Sequence, residues 1–265
     1  MFTGTFSKSL KYINETFIFP SYHAREKASF RYLRGQGLEI GALQHPLEVL
    51  PGVVVKDVDY ATKEENVKKY PDIDGSRIVV TDHVGDGFEL SFIRSASQDF
   101  IIANHVLEHA PNPLQVLLNW SSALKANGIL FLTLPNADKS FDKGRSITSV
   151  EHIVEDYELV KAGKMDAFAA RNREHFREFV DISIPNLKRV HRNLKTYRTE
   201  AEKNAYVDKL MRESSVDPHF HVFTKSSLVS IINHLIAHHL QELSLREVIT
   251  SRSGFEYVVI LEKTG

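Results

Sequence analysis

The sequence predicts an open α/β fold: a doubly wound sheet that ends in an antiparallel C-terminal hairpin and carries a helical insertion after its fifth strand. Three observations point there. Short β-branched or aromatic runs alternate with a helical pattern. Two of those runs, Gly37-Leu38-Glu39-Ile40-Gly41-Ala42 and Gln98 to His109, pass from apolar residues straight into polar, ionisable tips. Beyond Pro135 the texture turns to charge-rich helical patterns before strand-like runs resume near the end.

His23 to Arg34 reads as a helix leading into the first core strand. Val53-Val54-Val55, Arg77-Ile78-Val79-Val80, Phe100-Ile101-Ile102-Ala103 and Ile129-Leu130-Phe131-Leu132 are unbroken apolar runs. Such runs belong to parallel strands covered on both faces. Across Pro111 to Ala126, Leu114, Leu117, Leu118 and Leu124 recur at helical spacing while Asn112, Gln115 and Asn119 face away, so a crossover helix is expected. Asn127-Gly128 supplies residues that tolerate a left-handed helix terminus.

From Asn136 to Asp217 no convincing strand is found, and the division expected is a core over 1–135, a helical cap over 136–217 and a return to the core over 218–265. In the last part, Leu228, Ile231, Ile232, Leu235 and Ile236 make one face of a helix over Thr224 to Leu240. Leu243 to Ile249 and Glu256 to Leu261 then form a hairpin about the Ser251 to Gly254 turn.

Composition bounds the function. The 33 basic and 34 acidic residues leave a net charge of -1, so no global field attracts nucleic acid or an anionic membrane. The absence of cysteine excludes disulfides, thiolate ligands and a cysteine nucleophile, and fits a reducing compartment. Met1 to Phe19 mixes Lys8, Lys11, Asn14 and Glu15 among its apolar residues, unlike a signal peptide, so a cytoplasmic protein without a membrane span is expected.

The order of these motifs resembles the class I methyltransferase fold that uses S-adenosylmethionine, a Rossmann-like sheet of seven strands, over roughly residues 30–135 and 218–263. Leu38-Glu39-Ile40-Gly41-Ala42 is similar to the family's first motif, Val55-Lys56-Asp57-Val58-Asp59 to its acidic second strand end, and Thr81-Asp82-His83 to its third. Asn104 to His109 resembles the fourth, and Leu124 to Leu130 the approach to the fifth. The resemblance implies that Glu39 orders the methionine end and its loop, with Gly41 and Ala42 letting backbone approach the ligand. Asp59 would take the ribose hydroxyls, with Asp57 as the fallback two residues back on the same face. Asp82 would accept from the adenine amino group beside His83, and the backbone at Asn104 and His105 would hold the methionine end. After Gly41 the turn reads Ala42-Leu43-Gln44-His45-Pro46, without the family's further glycines and without the three-glycine fingerprint of a dinucleotide site.

The acceptor side is set by histidines. On an extended segment His219 and His221 share a side, which suits a general base with its partner, a hydrogen-bonded structural pair, or two metal ligands completed by Glu151, His152 or His175. No complete metal set can be read from the sequence. His109 is a further candidate at the fourth strand's tip. Ser140 to Arg145, with Thr148-Ser149 and Glu151-His152, resembles a segment of bacterial methyltransferases associated with surface-glycan gene sets. It implies a sugar or glycan-linked acceptor met by Asp142, Arg145 and His152, methylated on a hydroxyl. Alternatives are N-methylation of a small amine or amino sugar, a non-catalytic nucleoside-binding module, and a nucleic-acid methyltransferase using the basic run Lys188, Arg189, Arg192, Lys195 and Arg198 with His191 among them, disfavoured because Tyr197 is its sole interleaved aromatic.

Overall fold

The computed structural model describes residues 22–190, 194–212 and 218–265. Met1 to Phe19, and His191 and Arg192 of the basic run, lie outside them. The elements in chain order are α1 (Tyr22–Tyr32), β1 (Gln36–Ile40), β2 (Val54–Asp59), α2 (Lys63–Lys69), β3 (His83–Val84), β4 (Gln98–Asn104), α3 (Pro113–Ala123) and β5 (Leu124–Pro135). They continue as α4 (Val150–Lys161), α5 (Met165–Glu178), α6 (Ile184–Val190), α7 (Glu200–Arg212), α8 (Lys225–His238), β6 (Leu243–Thr250) and β7 (Glu256–Lys263).

The seven strands form one sheet in the order β3-β2-β1-β4-β5-β7-β6. All pairs from β3 to β5 are parallel, and β7 is antiparallel to both β5 and β6. This is the doubly wound sheet with the expected terminal hairpin.

Strand periodicity explains why both faces are covered. In β4, β5 and β7, Ile101, Ala103, Leu130, Leu132, Val259 and Leu261 enter one core with Leu114, Leu117 and Trp120 of α3 and with the apolar face of α8. Their neighbours Phe100, Ile102, Ile129, Phe131, Val258 and Ile260 enter the opposite core with Ala28 of α1, Leu33 and Leu47. A continuous apolar run is what a strand between two such layers requires. Asn112 caps α3 by accepting from the Gln115 N–H at 3.3 Å, and Pro113 occupies its first turn, where no N–H is needed.

Two expectations are corrected. Arg77 to Val80 is not a strand: Ile78 is buried, and the Val79 N–H donates to the Leu43 carbonyl at 2.8 Å. The run serves as packing beneath the loop after β1, and the ladder with β2 begins only at Asp82. Asn127 adopts φ 62° as expected, but within the start of β5 rather than at the end of α3, which stops at Ala123.

Among the described residues the stretch between β5 and α8 holds helices only. α4 packs through Ile153 on the core shared with α3 and α8, whereas α5, α6 and α7 share a third apolar cluster that includes Phe176, Phe179, Ile184, Leu187, Val207 and Phe220, with Phe141 against it. A π-helical turn over Phe179–Ser183 joins α5 to α6. Pro185, just beyond, lacks the N–H that would continue a regular ladder. The turn directs Ser183 onto Asp142.

Candidate active site

Chain connections run outward from β1 to β2 and β3 on one side and to β4 and β5 on the other. The sheet therefore opens a crevice at its carboxyl edge between β1 and β4. Gly41, at the β1 tip, has φ +68°, and a Cβ there would stand 3.5 Å from Val106 Cγ2. Space would admit the atom; the left-handed backbone is what selects glycine.

Glu39 is fully buried and faces the loop that follows. Its carboxylate accepts the Leu47 N–H at 2.9 and 3.1 Å and the Asn104 side-chain amide at 3.1 Å. Thr133 Oγ1 in turn donates to Asn104 Oδ1 at 2.8 Å. With the Ala42 carbonyl accepting from the His45 N–H at 2.9 Å, the loop closes without a second glycine. Burial pushes the Glu39 carboxyl up to about 7, against the Leu47 N–H.

That shift predicts a pH dependence. A carboxyl whose folded value is raised favours the fold fully below its ordinary 4.5 and loses that contribution as pH rises toward about 7. The loss amounts to about 3 kcal/mol. Thermal melts of Glu39→Gln should lack the fall in wild-type stability over that window. Parallel melting curves for the two proteins would refute the assignment.

Asp59 ends β2 and is half-buried, its Oδ1 accepting the Ala61 N–H at 3.1 Å. Asp57 lies inside the strand, in register with Glu39, and burial followed by repulsion from Asp82 pushes its carboxyl up to about 6. It is not at the edge, so the fallback position is removed.

Asp82 and His83 are also displaced. Asp82 precedes β3 and its Oδ2 accepts the Asp57 N–H at 2.9 Å, at the strand's amino end. His83 sits within the strand, its ring 5.8 Å from Phe92. The acid beyond the β3 tip is Asp86, two residues past Val84 and missed in the sequence. Its Oδ1 accepts from Tyr60 Oη at 3.1 Å and from the Phe88 N–H at 2.7 Å, and the Gly85 N–H donates to the Asp59 carbonyl at 2.9 Å. The Gly85-Asp86-Gly87 turn was the available signal.

At the β4 tip His105 adopts φ 54°, rare for a residue with a Cβ. Its ring turns inward: Nε2 lies 2.8 Å from Glu256 Oε2 and Nδ1 3.2 Å from Glu108 Oε1. Arg25 of α1 pairs with the same Glu256 through two contacts, Nε to Oε1 at 2.8 Å and Nη2 to Oε2. Burial would raise the Glu256 carboxyl, but Arg25 and His105 hold it down to about 2. The His105 side chain is therefore a buttress, and only its backbone is left for a ligand.

The histidines separate into two groups. Residues 218–222 are not a strand, so His219 and His221 do not share a partner. His219 Nδ1 lies 2.5 Å from Asp142 Oδ2. Asp142 also accepts from Arg145 Nη1 at 3.0 Å and Ser183 Oγ at 2.8 Å, while Arg145 reaches the His219 carbonyl at 2.7 Å and Glu178 at 3.2 Å. Burial opposes the Asp142 charge, yet His219 and Arg145 hold its carboxyl well below the usual range. Asp142 and Arg145 are thus buried and bound internally; they are not positioned to meet sugar hydroxyls. His109 packs edge-on against His219, ring centroids 4.8 Å apart, and its Nδ1 lies 3.2 Å from the Pro218 carbonyl.

His221 instead faces His152 and His175, at ring distances of 5.5 and 5.2 Å. His152 is thereby drawn away from the expected acceptor side. Burial holds His175 down to about 2 and His221 to about 3.

An acid at the β2 tip, an acid beyond β3, a left-handed glycine at β1 and a clasped loop at the switch point fit a nucleoside carrying an amino acid. Comparison with known proteins agrees: the family model described as a methyltransferase domain matches residues 30–234. The chain belongs to this family. It is an S-adenosylmethionine-dependent methyltransferase. No curated protein matches it by sequence. The plantazolicin methyltransferase BpumL, in complex with a triazolic desmethylPZN analogue and SAH, is a similar solved structure at 11% identity and TM-score 0.52, covering 98% of this chain and 91% of that one. The same protein with SAH alone gives 12% identity and TM-score 0.50, over 98% and 90%. An S-adenosylmethionine-dependent methyltransferase from Thermotoga maritima gives 14% and 0.47, over 98% and 97%. The two BpumL likenesses concern the fold alone. No helix among its described residues is long and apolar enough to cross a membrane.

Proposed function

We propose that this methyltransferase methylates a hydroxyl of a sugar or glycan-linked small molecule, with His219 as general base and Asp142 as the group that orients it. The bond between His219 and Asp142 carries this reading. An ionised Asp142 only accepts, so Nδ1 is the donor, and the tautomer this bond selects carries its lone pair at Nε2, 3.9 Å from Glu108 Oε1. His219 keeps 8% of its side-chain surface, whereas His221 is fully buried, so of the two only His219 borders solvent.

Bound S-adenosylmethionine supplies a methyl group on a positively charged sulfur. With that donor bound, His219 would take the acceptor O–H proton at Nε2, and the donor would supply the methyl carbon to the oxygen and keep the S–C bonding pair on its sulfur. Asp142 stabilises the imidazolium that forms. Most of the remaining rate comes from alignment and exclusion of water. For the donor, the proposal uses Gly41 and Ala42 with the clasped loop, Asp59 for the ribose, Asp86 for the adenine and the Asn104–His105 backbone. The 136–217 helices serve as a cap bearing the acceptor side. The sugar class rests on the likeness of the Ser140–His152 segment to glycan-associated methyltransferases.

The test is release of S-adenosylhomocysteine with a panel of sugars, nucleotide sugars and small amines. Turnover confined to hydroxyl acceptors supports the proposal, and turnover confined to amines would replace it with N-methylation. Calorimetry separates the donor assignments: Asp59→Ala and Asp86→Ala should each weaken donor binding about tenfold or more, while Asp57→Asn should not, since a lost charge-assisted bond is worth about 1.5–3 kcal/mol. Donor affinity left intact in Asp59→Ala would remove the ribose assignment.

A further inference from the structure

A second cluster, outside the crevice, has a chemistry that methyl transfer does not use. His152 and Asp156 stand one turn apart on α4, His175 is on α5, and His221 precedes α8. His152 Nε2 lies 3.0 Å from His175 Nε2 and 3.1 Å from Asp156 Oδ2. One ligand atom from each of the four residues falls within 4.8 Å of the others. His152 Nε2 thus faces an imidazole nitrogen and a carboxylate oxygen at once, and His221 makes no hydrogen bond to any of the three side chains. Both its ring nitrogens are buried without a hydrogen bond, the Pro111 backbone lying beside the ring, and the buried Asp156 Oδ2 is approached by His152 Nε2. Lone pairs converging in a buried space call for a cation.

We propose that His152, Asp156, His175 and His221 bind a zinc-type divalent ion that ties the helices after β5 to the segment entering α8. Three imidazoles and one carboxylate are a tetrahedral donor set for zinc. Around an ion at about 2.1 Å the ligand atoms stand about 3.4 Å apart, close to the two short distances already present. The carboxylate is already turned to face such an ion. Asp156 Oδ1 accepts from Arg171 Nε at 2.5 Å, leaving Oδ2 toward the histidines, and Arg171 Nη2 holds the His152 carbonyl at 3.2 Å. His221 is fixed by its backbone, whose N–H and that of Phe220 donate to the Glu108 carbonyl at 3.3 and 2.8 Å. Four protein ligands leave no open position, so the ion is structural. His152, with 27% of its side chain exposed, marks the way in.

Glu108, His109 and His219 form the other group of possible ligands among the described residues, and the experiment distinguishes the two. Purified full-length protein is incubated with zinc chloride, dialysed and measured for metal content, with cobalt substitution read by its visible absorption. One equivalent per chain and a tetrahedral cobalt spectrum are expected, together with a melting temperature that chelator lowers. His221→Ala and His175→Gln should lose the metal, while His219→Ala and His109→Gln keep it. If His221→Ala does not fold, His152→Gln on the exposed side of the cluster gives the same reading. Wild type that retains no zinc overturns the proposal, as does metal that disappears with His109 or His219 but survives loss of His221.

Discussion

Replacing His219 with alanine lowers the turnover number for methyl transfer by about 10²–10⁴-fold, the usual contribution of a general base, and leaves donor affinity close to that of wild type. The separation follows from geometry. Asp59, Asp86 and the clasped β1 loop belong to the β1–β3 side of the crevice, whereas His219 is held from the other side by Asp142, beneath the π-helical turn. Asp142→Asn should reduce turnover in the same direction, because an amide does not fix the Nδ1 proton or stabilise the charged ring, and it leaves Arg145 with a weaker partner. Single-turnover rates alongside donor calorimetry measure both effects. If His219→Ala turns over at the wild-type rate, proton removal lies elsewhere and the histidine is a packing residue.

Arg25→Ala costs about 3–5 kcal/mol of stability, because it strands the Glu256 carboxylate in a site with no solvent exposure. For a chain of this size that lowers the melting temperature by roughly 10 °C. The damage also reaches the crevice: Glu256 holds Nε2 of His105, whose left-handed backbone shapes the β4 tip. Combining Arg25→Met with Glu256→Gln removes both charges and should cost less than Arg25→Ala alone. The pH dependence has the opposite sign to that of Glu39. A carboxyl held down to about 2 favours the fold fully above its ordinary 4.5 and loses that contribution as pH falls toward 2. Acid titration of stability in wild type and Glu256→Gln measures this; a mutant that keeps the same acid slope would show that another group is responsible.

Local pattern revealed a good part of this molecule. The apolar runs of β4, β5 and β7 were visible because residues covered on both faces leave no polar alternation, and α8 because its buried face recurs at helical spacing. Arg77 to Val80 misled for a related reason: an apolar run shows that residues will be buried, not that they will join a ladder. Ile78 is buried beneath a loop, the strand formed later, and the tip residue became Asp86 instead of Asp82. Asp142 and Arg145 were acceptor contacts only by the resemblance of their segment; here a buried histidine and a serine brought in by the π turn enclose them.

The sequence by itself determined the class of sheet, the reversal of its last strand, and the tips at Gly41, Asp59 and Asn104, because strand burial and the backbone demands of a tight turn are properties of neighbouring residues. Tertiary structure alone decided which charges meet. Arg25 and Glu256 are 231 residues apart, and Asp142 and His219 are 77 apart. His219 and His221, only two positions apart, part company because the segment between Pro218 and Val222 is held by the Glu108 carbonyl and Thr148 rather than by a strand partner. Electrostatic pairing in a buried site depends on distance through space, and no local periodicity encodes that distance.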